Sequence, residues 1–339
     1  MKTGVIGLLA LAAACSQSAP GPKVGPQTYD FGPFTLDAEQ EVTDQCVQIT
    51  LNNTDDLYVN QVHLETGPGF HHSNWFWMPE SDIHGSDGTF TCTDRGFSEA
   101  IGAIFGGVVF AQSTQSPDDT QQFPVGAAVK IPPGSRLVAS IHLLNPGEVP
   151  LTLKPKITLT TIAESDVTTP LAAISFENQA LGLPPNAQSS FTLDCDLGSA
   201  AVNATGAAPA FHIYYTLAHY HALGTGMTVE AVKPDNTAAT IFQTQNQIGD
   251  ALGAPIDPAF DMTGYSRLRF TCDYYNSTAD VVKWGVGNQE MCVFLAFSDS
   301  PFDWGGGAVT PDPPGDPTDV DGVQSFTHAC TVYTTPLPD

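Results

Sequence analysis

The stretch Phe211-His212-Ile213-Tyr214-Tyr215-Thr216-Leu217-Ala218-His219-Tyr220-His221 decides the fold. Successive side chains of a strand point to opposite faces, so Phe211, Ile213, Tyr215 and Leu217 share a side with His219 and His221. His212 lies on the other face and reads as a packing or hydrogen-bonding residue. Short segments of similar alternation recur at Cys46–Leu51, Leu137–Leu143, Lys156–Thr161, Met227–Val232, Leu268–Cys272 and Cys292–Phe297, separated by Gly, Pro, Asn and Asp turns. No amphipathic helix of three turns is evident. With 31 glycines and 27 prolines, this pattern predicts an all-β chain of two antiparallel β-sandwich domains, jelly-roll-like and packed side by side. The polar stretch Glu164–Thr169 follows one strand series and precedes another, which places a first sandwich over 28–165 and a second over 166–339. Ile131-Pro132-Pro133 and Leu183-Pro184-Pro185 precede strands at comparable places, a faint echo between the halves. Ser300 to Val323, rich in Gly, Pro and Asp, reads as a long surface loop in which Asp312, Asp316, Asp319 and Asp321 offer a calcium alternative.

Composition and the first residues bound the setting. The chain carries 36 acidic against 11 basic side chains, a net charge of −25, which makes nucleic acid an improbable partner and leaves no basic patch for anionic lipid. Met1-Lys2, an apolar run from Val5 to Leu11 and Ala12-Ala13-Ala14-Cys15 form the pattern of a bacterial lipoprotein signal over 1–15, with Cys15 lipidated. Residues 16–27 then read as a flexible Pro/Gly/Ser tether. The expected location is the bacterial cell envelope, exported and held at the outer membrane or cell surface by the lipid alone. Removing Cys15 from seven cysteines leaves Cys46, Cys92, Cys195, Cys272, Cys292 and Cys330, an even number in an oxidising compartment. Three disulfides follow, in any of fifteen pairings.

The chemistry lies in an ordered set of ligands: His71-His72, His142, His219-Tyr220-His221 and Met291-Cys292. Imidazoles with a thioether suit copper cycling between two oxidation states better than zinc, calcium or magnesium, and five histidines with one methionine would serve two copper ions. His219 and His221, two apart on one face, can chelate one ion. His71 and His72 are adjacent, so both reach one metal only if the backbone turns at or just before them, and Gly67-Pro68-Gly69 supplies irregular backbone upstream. Taken singly, His142 would read as structural and Met291 as core filler.

In this order the ligands resemble the type II copper, ascorbate-dependent monooxygenases, the family of peptidylglycine α-hydroxylating monooxygenase and dopamine β-monooxygenase. The resemblance runs from about Tyr29 to Tyr333 and includes Phe123-Pro124-Val125-Gly126, Pro132-Pro133-Gly134 and His142-Leu143-Leu144-Asn145-Pro146. It implies one copper on His71, His72 and His142 for electron storage, and a second on His219, His221 and Met291 where dioxygen meets substrate. Each sandwich would carry one copper site, the two facing a shared cleft. It further implies the disulfides Cys46–Cys92, Cys272–Cys292 and Cys195–Cys330.

The implied activity is hydroxylation of a C–H bond in a small-molecule substrate, with dioxygen and ascorbate or a similar reductant as co-substrates. Departures limit the substrate. The family's peptide-amidating members carry an arginine where this chain has Leu217 and a tyrosine where it has Leu295, so a clamp for a substrate carboxylate is missing. Leu143 replaces an aromatic residue after the third histidine. His63, His84 and His328 match no family role and read as structural or solvent-facing. The alternative from another class is a non-catalytic copper-binding or adhesive surface lipoprotein of the same fold. A zinc hydrolase fits less well, because methionine is an unusual zinc ligand and no paired glutamate motif accompanies the histidines.

Overall fold

Alternating hydrophobicity does what it must in water: each strand turns its apolar side onto a facing sheet. The computed structural model describes residues 24–308 and 317–337. Cys15, Asp312 and Asp316 lie outside the described residues, as does most of the expected tether. Among the described residues no helix is long and apolar enough to cross a membrane.

In the first half, strands Gly88–Thr91, Glu41–Thr50, Ser135–Leu144, Phe70–Pro79 and Gly107–Ala111 pair in that order as one sheet. It packs on a second sheet built from Gly25–Asp30, Lys156–Ile162, Leu57–Glu65 and Ala127–Ile131. Trp75, Leu137 and Ile141 from one side bury against Val62, Leu64 and Ile157 from the other. In the second half, the six strands Ala238–Thr244, Gly224–Val232, Arg267–Asn276, Ala187–Asp196, Val323–Ala329 and Thr318–Val320 face Thr169–Asn178, Val293–Ser298, His212–His219 and Gly253–Asp261. Phe191, Val229 and Phe270 meet Ile174, Ile213 and Phe294 in that core. The chain is all-β, built from β-sandwiches, and every segment expected to be a strand coincides with one to within a residue, Leu51, Phe211 and Cys292 lying just outside.

Three departures from the sequence reading have physical causes. The sheets are not wholly antiparallel. Ala127–Ile131 pairs in parallel with the start of Thr169–Asn178, which fuses the two halves into one continuous eleven-stranded sheet. Met78, Phe76 and Val108 of the first half then share a hydrophobic cluster with the core of the second. Next, residues 25–27 are not tether: Gly25, Pro26 and Gln27 pair with Thr161, Thr160 and Leu159 at a sheet edge, where a proline is tolerated. Finally, Phe302–Ala308 is no surface loop. It lies between Thr169–Asn178 and Thr331–Pro336, with Trp304 2% exposed. Its glycines permit that closeness: a Cβ would come within 2.1 Å of the Thr331 carbonyl at Gly306 and 2.3 Å of the Glu177 carbonyl at Gly307. Asp319 and Asp321, in the remaining part of that stretch, are exposed.

The six cysteines pair as Cys46–Cys92, Cys195–Cys330 and Cys272–Cys292, the pattern the family resemblance implies.

Candidate metal centre

A β-bulge gives the paired histidines a common direction. His72 lies opposite His142 and Phe70 opposite Leu143, so His71 is an extra residue inserted in the Phe70–Pro79 strand. Bulges re-aim side chains in this way, and here the irregularity falls at the histidines themselves, just past Gly69. His219 ends the strand His212–His219, and His221 follows in the turn into Gly224–Val232. Tyr220 between them is fully buried, its ring against Gly224 and its hydroxyl donating to the Asn246 carbonyl.

The structure brings all five histidines into one cluster. Ring centroids are 4.4 Å apart for His71 and His142, 4.7 Å for His72 and His219, and 5.1 Å for His71 and His221. Ligand atoms of His71, His72 and His142 lie within 4.8 Å of one another, and so do those of His72, His219 and His221. The arrangement differs from the expected one: the two groups abut across the domain junction and share His72, instead of standing on opposite sides of a cleft. Nδ1 of His71 and Nδ1 of His72 are 2.9 Å apart. Two nitrogens bound at about 2.0–2.1 Å to one ion, at about a right angle, are separated by about that much.

The nitrogens not facing the cluster are fixed by the protein. His142 Nε2 is 2.7 Å from Glu41 Oε1, and its Nδ1 is buried with no partner. His221 Nδ1 donates to the Gln289 carbonyl at 2.9 Å, and its Nε2 is likewise buried and unpartnered. A buried lone pair without a donor is costly, whereas this pattern, one nitrogen oriented and the other free, is how metal-binding imidazoles are held. Burial lowers the pKa of every histidine in the cluster, of His219 to about 3, with repulsion from neighbouring imidazoles adding to it at His71, His72, His219 and His221. All five are neutral at ordinary pH, the form a metal requires. The residues therefore fit a metal ion, and the nitrogen-rich set favours a borderline or soft one.

The polar run Gln112 to Ser116 ties the two halves together at this point. Thr114 Oγ1 donates to the Tyr220 carbonyl at 2.9 Å and lies 3.3 Å from His219 Nδ1, while the Gln115 amide donates to the His71 carbonyl at 2.6 Å. Glu290 accepts from the amides of His221 and Leu223 at 2.8 and 2.7 Å, and burial raises its pKa to about 7. Sequence reasoning missed Glu41, Glu290 and the Gln112–Ser116 run. Nothing local in a lone glutamate or a serine-rich stretch signals a partner a hundred residues away.

Met291 lines a cavity of about 510 Å³ together with His72 and His219. Its carbonyl accepts from the Tyr274 hydroxyl at 2.5 Å, and the Cys272–Cys292 disulfide begins at the next residue. Leu295 lines the same cavity, and Leu217 is buried beside it on the neighbouring strand. His212 bonds Asp299 at 3.1 Å, His63 bonds Asp118 at 2.9 Å, His328 bonds Asn178 at 3.2 Å and His84 is exposed, all away from the cluster.

No family model and no curated protein matches the sequence. Among solved structures, the chain is similar to the major capsid protein P2 from Bacteriophage PM2, at 7% identity over 80% of this chain and 97% of that one, with a TM-score of 0.29. It is also similar to a Sulfolobus Turreted Icosahedral Virus chain, at 10% identity over 78% and 59% and a TM-score of 0.23, and to the PBSX exported protein XepA, at 8% over 80% and 86% and 0.20. Superpositions this loose carry no argument about function.

Proposed function

We propose that this chain is a copper-dependent monooxygenase that hydroxylates a C–H bond of a small organic substrate, with an external reductant such as ascorbate. One oxygen atom enters the substrate; the other leaves as water, taking two electrons from the reductant and two protons. The observation that carries this reading is the convergence of five neutral imidazoles, two of which, His72 and His219, line a cavity that Met291 also lines. His71, His72, His142, His219, His221 and Met291 would hold copper, which when bound supplies one-electron chemistry with dioxygen.

The chain's own part is positioning. Glu41 and the Gln289 carbonyl each orient one imidazole and leave its other nitrogen free. Thr114 braces His219 and its neighbour from the other half of the molecule. The disulfide at Cys292 and the Tyr274 hydroxyl fix the backbone that presents Met291. With Leu217 and Leu295 at those positions, and no lysine or arginine among the described residues that line the cavity, a substrate with a terminal carboxylate is disfavoured. The three disulfides support an oxidising compartment, in keeping with export and anchoring at the cell envelope.

The test is oxygen uptake by copper-loaded protein with ascorbate, across candidate substrates. The reading expects uptake that falls at least about a hundredfold in both His72→Ala and Met291→Ala. Copper binding without uptake in the intact chain would leave the non-catalytic copper-binding alternative in its place.

A further inference from the structure

The cavity beside the histidines is chemically lopsided. Three of its lining residues, Glu99, Glu177 and Asp303, are carboxylic acids, and among the described residues no lysine or arginine lines it. The sheet that forms its floor fixes where the charge lies. Ala173, Ser175 and Glu177 alternate onto the cavity face of their strand, and Glu177 pairs with Val293, which pairs in turn with His219. Glu177 is therefore two strand spacings from His219 in one row, about 10 Å. Val293 fills the place between them and Leu295 the next row, so the intervening surface is apolar.

Glu99 faces this floor from the first turn of helix Glu99–Phe105, held by the Asn74 amide at 2.9 Å. Both carboxyl groups line the one cavity, and burial, and to a lesser degree the charge of Glu177, raises the pKa of Glu99. Glu177 is half-buried and accepts from the Gln179 side-chain amide at 2.7 Å, a neutral donor, so the two acids line one cavity with no cationic side chain among its described lining residues, an arrangement that a bound cation would relieve.

We propose that the cavity takes an elongated cation, a long-chain amine, with its ammonium at Glu99 and Glu177, its apolar chain over Val293 and Leu295, and its far end at His219 and Met291. This rests on the oxygenase reading only for what happens at the far end; the binding itself does not need the metal. A saturated chain of about eight atoms has the required reach. An amine whose reacting carbon lies two bonds from its nitrogen does not.

The experiment is calorimetric titration of the full chain, metal-free and copper-loaded, with octylamine, octan-1-ol, octanoate and 2-phenylethylamine. Octylamine is expected to bind both forms, with octanol and 2-phenylethylamine at least about tenfold weaker. Glu177→Gln should weaken octylamine by about tenfold or more and leave octanol unchanged, and Glu177→Lys should reverse the preference toward octanoate. Equal binding of octylamine and octanol, or an octylamine affinity indifferent to Glu177→Gln, would overturn the proposal. So would 2-phenylethylamine binding as tightly as octylamine. Octylamine binding without copper-dependent oxidation of any compound would defeat the oxygenase reading alone. Oxidation of neutral compounds with no amine binding would defeat the cavity proposal alone.

Discussion

At the scale of single residues, His72 is the pivot, because it belongs to both groups of candidate ligands. His72→Ala should therefore lower copper stoichiometry below either His71→Ala or His219→Ala, as read by metal analysis after gel filtration. Glu41 matters through His142: Glu41→Gln removes the charge but keeps an acceptor, and should weaken copper binding by about tenfold in a competition assay with a cuprous chelator. Asp303 gives a pH signature away from the metal. Burial raises its pKa to about 7, against the bond it accepts from the Ala173 amide at 2.6 Å. An unfolded aspartate titrates near 3.9, so the folded chain holds this proton to higher pH than the unfolded one. Its favourable contribution is full below about pH 4 and is lost as pH rises toward about 7. Denaturant midpoints of metal-free Asp303→Asn should accordingly decline less over that window than those of the unaltered chain. The histidine cluster was legible in the sequence because histidine is rare and its pairs stand out, although His221 lies past the end of the strand, in the turn, and not on the strand face that alternation predicts. Glu41 was not, since an acid a hundred residues from its imidazole leaves no local mark.

At the scale of elements, the bulge at His71 converts two adjacent side chains, which a regular strand would point apart, into neighbours on one side that faces the other imidazoles. The need for such a turn could be read from the His-His pair, and its form could not. The Phe302–Ala308 strand shows the opposite failure. Gly305-Gly306-Gly307 reads as loop, yet those glycines are small because strands on both sides come too close for any Cβ. Gly306→Ala should cost roughly 1–3 kcal/mol of stability through that overlap, measured by thermal or denaturant unfolding. The polar run at Gln112–Ser116 carries no signal of burial in the sequence, yet the structure buries Gln112, Ser113, Thr114 and Ser116, whose hydrogen bonds close the junction.

At the scale of the whole molecule, strand periodicity was enough to give an all-β chain, while the parallel pairing of Ala127–Ile131 with Thr169–Asn178 was beyond it. Pairing between distant strands depends on which faces remain uncovered after each half has folded, and no window of sequence contains that information. The consequence is that the histidines of both halves meet at a shared junction instead of forming two remote sites. Copper should then stabilise the molecule as one unit: at a hundred times its dissociation constant, a single ion adds about 2.7 kcal/mol. Calorimetry should show one transition moving upward together, and a transition that splits on metal binding would mean that the halves respond separately.

The central claim is that these imidazoles and the Met291 thioether ligate copper together. X-ray absorption of copper-loaded, ascorbate-reduced protein measures it directly. The account predicts nitrogen and sulfur scatterers around copper in the intact chain, with the sulfur contribution lost and the nitrogen retained in Met291→Ala. A nitrogen-only shell in the intact protein, or a sulfur contribution unchanged by Met291→Ala, would contradict it.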